Sequence, residues 1–215
     1  MKILLRIAAV VAGAALLIIS IIAFNGHRQY TKARELMNDL RGLVAGPIET
    51  QRIQSFIAKH DLHRTDSDTE RSYGHDSYEV VLENNVLARF HLAAWTRLGV
   101  LLVLRDQTLR YVQAWYYVSC RGDMTSGVTV EQQFLAQPET PAYQLSVFPA
   151  GGKPPNIRIE MTQLASPMQR SAALKFEVGC LARIGGCSGA SQLLPSAEKP
   201  GLGCSPVPPE ISSKE

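Results

Sequence analysis

The sequence predicts an α+β protein in which one membrane-spanning helix precedes a single small domain. Residues 7–24 carry no charged side chain, the following segments repeat apolar residues at spacings of three and four, and from Ser77 apolar residues alternate with polar ones. The first pattern is typical of a membrane helix, the second of amphipathic helices and the third of half-buried strands. We therefore expect a helical hairpin packed on a mostly antiparallel sheet and closed by a C-terminal helix.

The composition is that of one globular domain. Of the 215 residues, 46% are hydrophobic and 19% are charged, which excludes a wholly disordered chain. The net charge is +3, and Lys2 and Arg6 supply two of these positive charges. The rest of the chain is nearly neutral and lacks the basic field that attracts phosphate, so we expect no nucleic-acid partner.

The apolar run at residues 7–24 predicts a retained membrane anchor over residues 1–26. Eighteen residues with a helical rise of about 1.5 Å each span roughly 27 Å, close to the ~30 Å hydrocarbon core of a bilayer. A cleaved signal peptide is the alternative, but its apolar region is shorter and ends in small residues. Here the run ends in the bulky Ile21 and Ile22, so we expect residues 7–24 to stay in contact with lipid.

The cysteines predict the side of the membrane, because the positive charges flanking the apolar run are nearly balanced. Four cysteines lie in the C-terminal half, none at a zinc-binding spacing. Disulfides persist in oxidising compartments. The sequence therefore favours a single-pass protein of the inner (plasma) membrane, with an extracytoplasmic domain at residues 27–194.

Two amphipathic helices are predicted after the anchor. Asn25-Gly26 is expected to break the membrane helix, and a second helix at 28–45 follows with an apolar stripe of Tyr30, Ala33, Met37, Leu40 and Val44. This stripe could join two chains, but it spans too few heptads for a coiled coil, which favours packing on its own domain. Thr50 can cap a third helix to His60, with Ile53, Phe56 and Ile57 on its core face. Residues 61–76 are polar and predict a loop.

The next segments predict an antiparallel sheet. A hairpin is expected from strands at 77–82 and 86–91, with a loop at 83–85. In this register Val80 faces Ala88 and Tyr78 faces Phe90, which leaves one apolar face. Further strands are predicted at 100–104, 109–119, 128–135, 143–148 and 156–162.

The C-terminal part predicts a helix and a tail. Ser166-Pro167 is typical of a helix start, and a buried stripe of Ala173, Phe176, Cys180 and Ile184 follows before Gly185-Gly186. A strand at 172–178 is the alternative. Residues 195–215 contain five prolines and are predicted to be a disordered tail.

A disulfide between Cys180 and Cys187 is predicted. If the helix ends near Ile184, Gly185 and Gly186 allow the chain to reverse, because glycine adopts positive φ at little cost. The reversal brings Cys187 within the ~4.4–6.8 Å Cα separation that a disulfide requires. Two alternatives stay open for the cysteines: a bond between Cys120 and Cys204, and four free thiols in a cytoplasmic domain.

Aromatic residues around strand 109–119 are the candidate ligand-binding residues. They are Trp95, Tyr111, Trp115 and Tyr117. Side chains of this kind could line a ligand groove, whereas on a strand with two apolar faces they, together with Tyr116, are more often part of the core.

Two weaker motifs concern chemistry. Residues 185–189 fit a nucleophile elbow with Cys187 as the nucleophile, but that motif needs a preceding strand and partner residues, and the sequence favours a helix end. His60 and His63 have a metal-binding spacing, but a solvated loop is the better interpretation. We therefore expect no catalytic residue, no metal and no cofactor.

The residues Cys180-Leu181-Ala182-Arg183-Ile184-Gly185-Gly186-Cys187, followed by Leu193-Leu194-Pro195, carry a resemblance. They resemble the C-L-x-[RK]-I-G-G-C ending, followed by Leu-Leu-Pro, of a family of bacterial single-pass envelope proteins to which no activity is assigned. The helix pair followed by antiparallel strands is similar in layout to the small BamE/SmpA-OmlA envelope lipoproteins. The resemblance implies an envelope location and no particular function.

Three functions remain in order of preference. The first is a non-catalytic envelope domain that binds a protein or another envelope component. The second is a small-molecule-binding domain that uses the aromatic strand. The third is a hydrolase or thiol enzyme that uses Cys187.

Overall fold

The α+β class is confirmed by a computed structural model, which describes residues 2–45, 48–65, 75–119, 127–136, 143–150, 153–162, 164–166, 174–187 and 190–193. The α-helices are α1 (Lys2–Ala45), α2 (Thr50–Lys59), α3 (Asn85–Arg89) and α4 (Ala190–Leu193), and a 3-10 helix covers Val178–Leu181. The strands are β1 (His63–Thr65), β2 (His75–Glu83), β3 (Thr96–Arg105), β4 (Thr108–Ser119), β5 (Gly127–Leu135), β6 (Tyr143–Ala150) and β7 (Lys153–Thr162).

These strands form one mostly antiparallel sheet in the order β1-β2-β3-β4-β5-β7-β6. Strands β1 to β5 follow one another as antiparallel neighbours, β7 pairs with β5 in parallel, and β6 pairs with β7 in antiparallel orientation. The five predicted strands from residue 100 onward are therefore confirmed, each with slightly wider bounds.

One face of the sheet forms the core. Alternate residues of each strand point to this face, as the two-residue period requires. The inward set of β3 and β4 includes Leu98, Val100, Leu102, Val112, Ala114 and Tyr116. Side chains from α1, α2 and the 3-10 helix belong to the same cluster, so the described helices cover this face of the sheet.

Helix α1 differs from the prediction because it does not break at Asn25-Gly26. It runs unbroken from Lys2 to Ala45. Gly26 is buried against Ala182, and a methyl group added at Gly26 would lie 3.3 Å from the Ala182 carbonyl oxygen. The glycine therefore allows close packing of the domain on the helix, where the sequence pattern suggested a helix end.

The predicted faces of the two amphipathic helices are confirmed. The α1 residues Ala33, Met37, Leu40 and Val44 are buried, and Tyr30 packs against the same core. Helix α2 begins at Thr50 and buries Ile53, Phe56 and Ile57. The residue at the capping position is Glu49, not Thr50, and its side chain makes no capping hydrogen bond.

The predicted hairpin at residues 77–91 is wrong in its second half. Strand β2 pairs with β3, so that Val80 lies opposite Val100, and Asn85–Arg89 form helix α3. Asn84 is buried, and its amide side chain bonds Ala94 and Thr96. These bonds join the end of β2 to the start of β3, with helix α3 in the segment between them. Tyr78, Val80 and Leu82 still face the core, as predicted.

Two further segments depart from the predictions. The predicted loop at 61–76 contains β1, which pairs with Ser77–Glu79, and it contributes His75 and Asp76 to β2. In the predicted C-terminal helix, residues 175–177 belong to no helix, and among the described residues only Val178–Leu181 form a 3-10 helix. The strand alternative at 172–178 is not formed by the described residues 174–178 either.

The disulfide between Cys180 and Cys187 is present, with a Cα separation of 5.3 Å. Gly185 and Gly186 have φ values of 86° and 61°, as the predicted chain reversal requires. Cys120, Cys204 and the predicted tail at 195–215 lie outside the described residues.

Candidate functional site

The outward face of the sheet carries an aromatic surface around β3, β4 and β5. Between Tyr111 and Tyr117 the outward residues of β4 are Tyr111, Gln113, Trp115 and Tyr117, and each is partly exposed. None of them belongs to the hydrophobic core, whereas Tyr116 between them is fully buried in it. The alternation of the strand therefore places three of the four β4 aromatic side chains on the face opposite the described helices.

Trp115 lies across Gly99 on the neighbouring strand. The two residues are direct partners in the β3–β4 register. A methyl group added at Gly99 would overlap the Trp115 indole ring. Gly99 therefore gives the ring a flat backbone surface to lie on and holds it close to the sheet.

Trp95, Arg97 and Tyr117 complete the aromatic surface next to Trp115. The Arg97 guanidinium carbon is 4.6 Å from the centroid of the Trp95 ring, a cation–π contact. Trp95 and Tyr117 meet edge to face, with 6.0 Å between ring centroids. The Trp95 indole N–H donates to the Asn85 side-chain oxygen at 3.2 Å, which fixes the ring at the entry to β3.

These side chains border a shallow groove of about 220 Å³. Its lining residues are Trp95, Arg97, Trp115, Tyr117 and Thr129. We call this set of five residues the aromatic groove. Tyr117 is paired with both Arg97 and Thr129 across the sheet, so three adjacent strands contribute to it.

Three of the five groove residues are among the ligand-binding candidates named from the sequence. Trp95, Trp115 and Tyr117 are brought together, whereas Tyr111 lies on the same face four residues from Trp115, about 13 Å along the strand, and does not line the groove. Arg97 and Thr129 were missed. Arg97 could have been found from its position two residues after Trp95, since that spacing places both on one face. The alternative that these aromatics form the core is right only for Tyr116.

Ion pairs flank the aromatic groove on both sides. Arg97 pairs with Glu83 on β2, and Arg158 on β7 contacts Glu131 on β5 at 3.0 Å. Glu131 is the direct neighbour of Trp115 in the sheet. The aromatic side chains thus lie between polar, charge-balanced borders, so the face combines apolar contact area with hydrogen-bonding groups.

A second concavity of about 520 Å³ lies between α1 and α2 and is lined mainly by polar side chains. Two of its charged residues pair with each other: Lys59 contacts Asp39 at 2.7 Å, and it also contacts Glu35, which lies outside the lining, at 3.0 Å. Burial alone raises the pKa of Asp39, but its hydrogen bonds with Lys59 and His60 outweigh burial and lower the pKa below 3.8. We interpret these ion pairs and hydrogen bonds as interactions that stabilise the packing of α1 against α2.

Cys187, the catalytic candidate, and His60, one of the two metal candidates, are each bonded to another residue of the domain. Cys187 is bonded to Cys180, so it has no free thiol, and the segment before it is a 3-10 helix; the nucleophile-elbow interpretation is therefore wrong. His60 bonds Asp39 at 2.8 Å. Within the described residues, no group of three or more His, Cys, Asp or Glu side chains is arranged to hold a metal ion.

Tyr116 is an ionisable residue whose side chain is fully buried. Burial raises the pKa of its phenol, with a smaller contribution from the nearby Glu177 carboxylate. Its hydroxyl has no hydrogen-bond partner among the described residues, and its ring is 6.0 Å from that of Phe176. A neutral phenol enclosed in the core cannot serve as an acid or a base toward a bound molecule, so we assign Tyr116 to packing.

The chain matches no protein-family model, no curated protein and no solved structure. Helix α1 is long and apolar enough to cross a membrane, and its apolar half is almost entirely exposed. The features of the described residues that bear on function are α1, the disulfide and the aromatic groove.

Proposed function

We propose that this chain is a membrane-anchored, non-catalytic domain whose outward sheet face binds a protein or another component of the cell envelope. The observation that carries this proposal is the aromatic groove on a face that no described helix covers. Trp, Tyr and Arg are the residues most enriched among the energetic centres of protein interfaces. In the groove all three types lie together on a rigid sheet.

The size of the groove favours a large partner over an enclosed ligand. Small-molecule pockets usually have volumes of about 300–1,000 Å³ and bury most of the ligand. The aromatic groove has about 220 Å³ and is shallow. An extended segment or a convex surface of a partner could lie across it, with the flanking ion pairs of Arg97 and Arg158 as a polar rim.

The proposed location is the inner membrane, with the domain on the extracytoplasmic side. The uncharged run at residues 7–24 of α1 supports the anchor. The disulfide between Cys180 and Cys187 supports an oxidising compartment. Carbonate extraction should leave the protein in the membrane pellet, and protease added to spheroplasts should digest the domain.

Site-specific photo-crosslinking in cells tests the binding face. A photoreactive residue at Thr129, in the aromatic groove, should yield one main cross-linked product, and Trp115→Ala should abolish it. A photoreactive residue at Lys32, an exposed position of α1, is the control and should not yield the same product. Equal products from both positions, or a product that survives Trp115→Ala, would refute the proposed face.

A small planar ligand is the second candidate. The observation that favours it is the stacking of Arg97 on Trp95, which leaves Trp115 and Tyr117 to form the rest of an aromatic wall. Such a ligand would quench the fluorescence of Trp95 and Trp115. A screen of small aromatic and sugar compounds against the detergent-solubilised protein, with Trp115→Ala as control, separates this candidate from a macromolecular partner.

A further inference from the structure

We infer that the domain contacts the surface of the bilayer directly, with Phe90 and Ile184 inserted among the lipid headgroups. This inference rests on the membrane anchor proposed above and is independent of the partner of the aromatic groove. The surface concerned consists of Arg89, Phe90, Arg183 and Ile184. We call it the membrane-facing rim.

The position of the rim follows from the unbroken helix α1. The apolar run ends at Phe24, and Gly26 is already buried against Ala182 of the domain. Two residues of helix correspond to about 3 Å along the axis. The buried stripe even continues one turn back to Ile22, which is partly covered, whereas Ile21 and Phe24 are 53% and 71% exposed. The folded domain therefore starts at the level where the apolar segment ends.

Two loops meet at this level and are fixed to each other. The backbone N–H of Gly185 donates to the Leu92 carbonyl at 2.7 Å. A methyl group added at Gly186 would lie 3.5 Å from the Ala93 side chain. The disulfide between Cys180 and Cys187 fixes the loop that contains Gly185 and Gly186, since Cys187 follows directly after Gly186. The rim is thus a rigid part of the domain beside the exit of α1.

Large apolar side chains project from the rim. Outside α1, the described residues include three large hydrophobic side chains with high exposure, which are Phe90 at 51%, Leu164 at 68% and Ile184 at 68%. Two of the three lie on the rim. Ile184 is two residues from Ala182, which contacts Gly26 of α1. Phe90 is two residues from Leu92, whose carbonyl accepts the hydrogen bond from Gly185.

An exposed arginine precedes each of these apolar side chains. Arg89 stands before Phe90 and Arg183 before Ile184, and both are exposed. An apolar side chain beside a cation suits the membrane interface, where the first enters the acyl boundary and the second reaches lipid phosphate. Because the rim is continuous with the apolar face of α1, the occupant that fits it is the bilayer spanned by the same helix.

Photo-crosslinking in vesicles tests the inference. The full-length protein would carry a photoreactive residue in place of Phe90 or Ile184, in vesicles of equal parts phosphatidylcholine and phosphatidylglycerol. Asp106, whose side chain is 93% exposed in the turn at the far end of β3, is the control position, roughly 30 Å from the start of that strand. Leu17, exposed on the apolar part of α1, reports on the anchor itself.

We expect lipid adducts at positions 17, 90 and 184, with about tenfold less at position 106 because lipid reaches only the interface. Lipid adducts at 17 but not at 90 and 184 would overturn the inference and leave the anchor intact. No adduct at 17 would overturn both. Cross-links between two protein chains at 90 or 184 would mean that a second copy covers the rim, which also overturns it. Peptide mapping of the 180–187 disulfide confirms that each variant is folded.

Discussion

The side chain of Asn84 accepts a hydrogen bond from the backbone N–H of Thr96 at 2.8 Å, and the backbone N–H of Asn84 donates to the Thr96 carbonyl at 3.1 Å. The same side chain donates to the Ala94 carbonyl at 2.8 Å. One buried amide thus closes the segment between β2 and β3, with α3 inside it. This segment positions Trp95 and Arg97 at the groove and Phe90 on the rim.

Asn84→Ala should destabilise the domain by about 1–3 kcal/mol, because it leaves the buried Thr96 N–H without its acceptor and removes one of the two hydrogen bonds to the Ala94 carbonyl. Urea unfolding in detergent, followed by tryptophan fluorescence, measures the change. Asn85→Ala is the matched control, since Asn85 is exposed and makes one side-chain bond to Trp95. Equal losses for the two variants would contradict the role given to Asn84.

Gly99→Ala should displace the Trp115 ring from β3 and cost about 1–3 kcal/mol of unfolding free energy. In the Trp115→Ala background the same substitution should cost much less, because the overlapping ring is gone. Gly42→Ala is the control: a methyl group there meets nothing within 4 Å, and alanine favours the helix by about 1 kcal/mol. An equal cost of Gly99→Ala in both backgrounds would refute the packing argument.

Gly26→Leu should separate the domain from α1, because the side chain would have to displace the backbone of Ala182. We expect about 1–3 kcal/mol of destabilisation and faster proteolysis near residue 26. Gly13→Leu, at a position with nothing within 4 Å, should leave the domain unchanged. If Gly26→Leu also behaved like wild type, the close contact between helix and domain would be wrong.

Removal of the disulfide by the double variant Cys180→Ala and Cys187→Ala should cost about 2–3 kcal/mol, the value for so short a loop. Urea unfolding of the wild type and of the variant, both without reductant, should give this difference. Both cysteines are buried, so alkylation should require prior reduction. Alkylation of Cys187 in the native, unreduced protein would contradict the bond.

Asp39→Asn should lower the stability at neutral pH and have no effect in strong acid. The pKa of Asp39 is lowered below 3.8 in the folded state, so its contribution is fully present above pH 3.8 and is lost as the pH falls through the folded pKa. Urea midpoints at pH 7 and near pH 2 measure this. Asp61→Asn, beside His60 but outside the ion pairs of Lys59, is the control. A difference that persisted at low pH would exclude the ionic origin.

The strands could be predicted because their alternation is a local property of the sequence. Tyr78, Val80 and Leu82 recur at every second residue between Ser77 and Glu83, and they face the core. Val86, Ala88 and Phe90 recur at the same spacing, but Asn85–Arg89 form a short helix. Five residues are too few for the periods of helix and strand to be told apart, and the deciding bonds of Asn84 reach ten and twelve residues away.

The glycines and the groove needed information that local pattern does not contain. Asn25-Gly26 resembles a helix end in the local sequence. The actual role of Gly26 is its contact with Ala182, which is distant in sequence and therefore not visible in the local pattern. The register of β3 on β4 brings Gly99 under Trp115, and no periodicity reveals it. The Cys180–Cys187 bond was predictable, since it depends on the Gly185-Gly186 turn between them, even though the segment before it is not the long helix expected.

The parallel pairing of β5 with β7 has a consequence for the order of assembly during synthesis. Strand β6 leaves the ribosome before β7, yet in the described sheet it pairs only with β7. The edge of β5 must therefore stay open until the chain through Thr162 has emerged. The β6–β7 ribbon can form from local contacts and then dock on β5 in one step. Until β7 pairs with β5, the exposed edge of β5 can bind a chaperone or pair with a strand of a neighbouring chain.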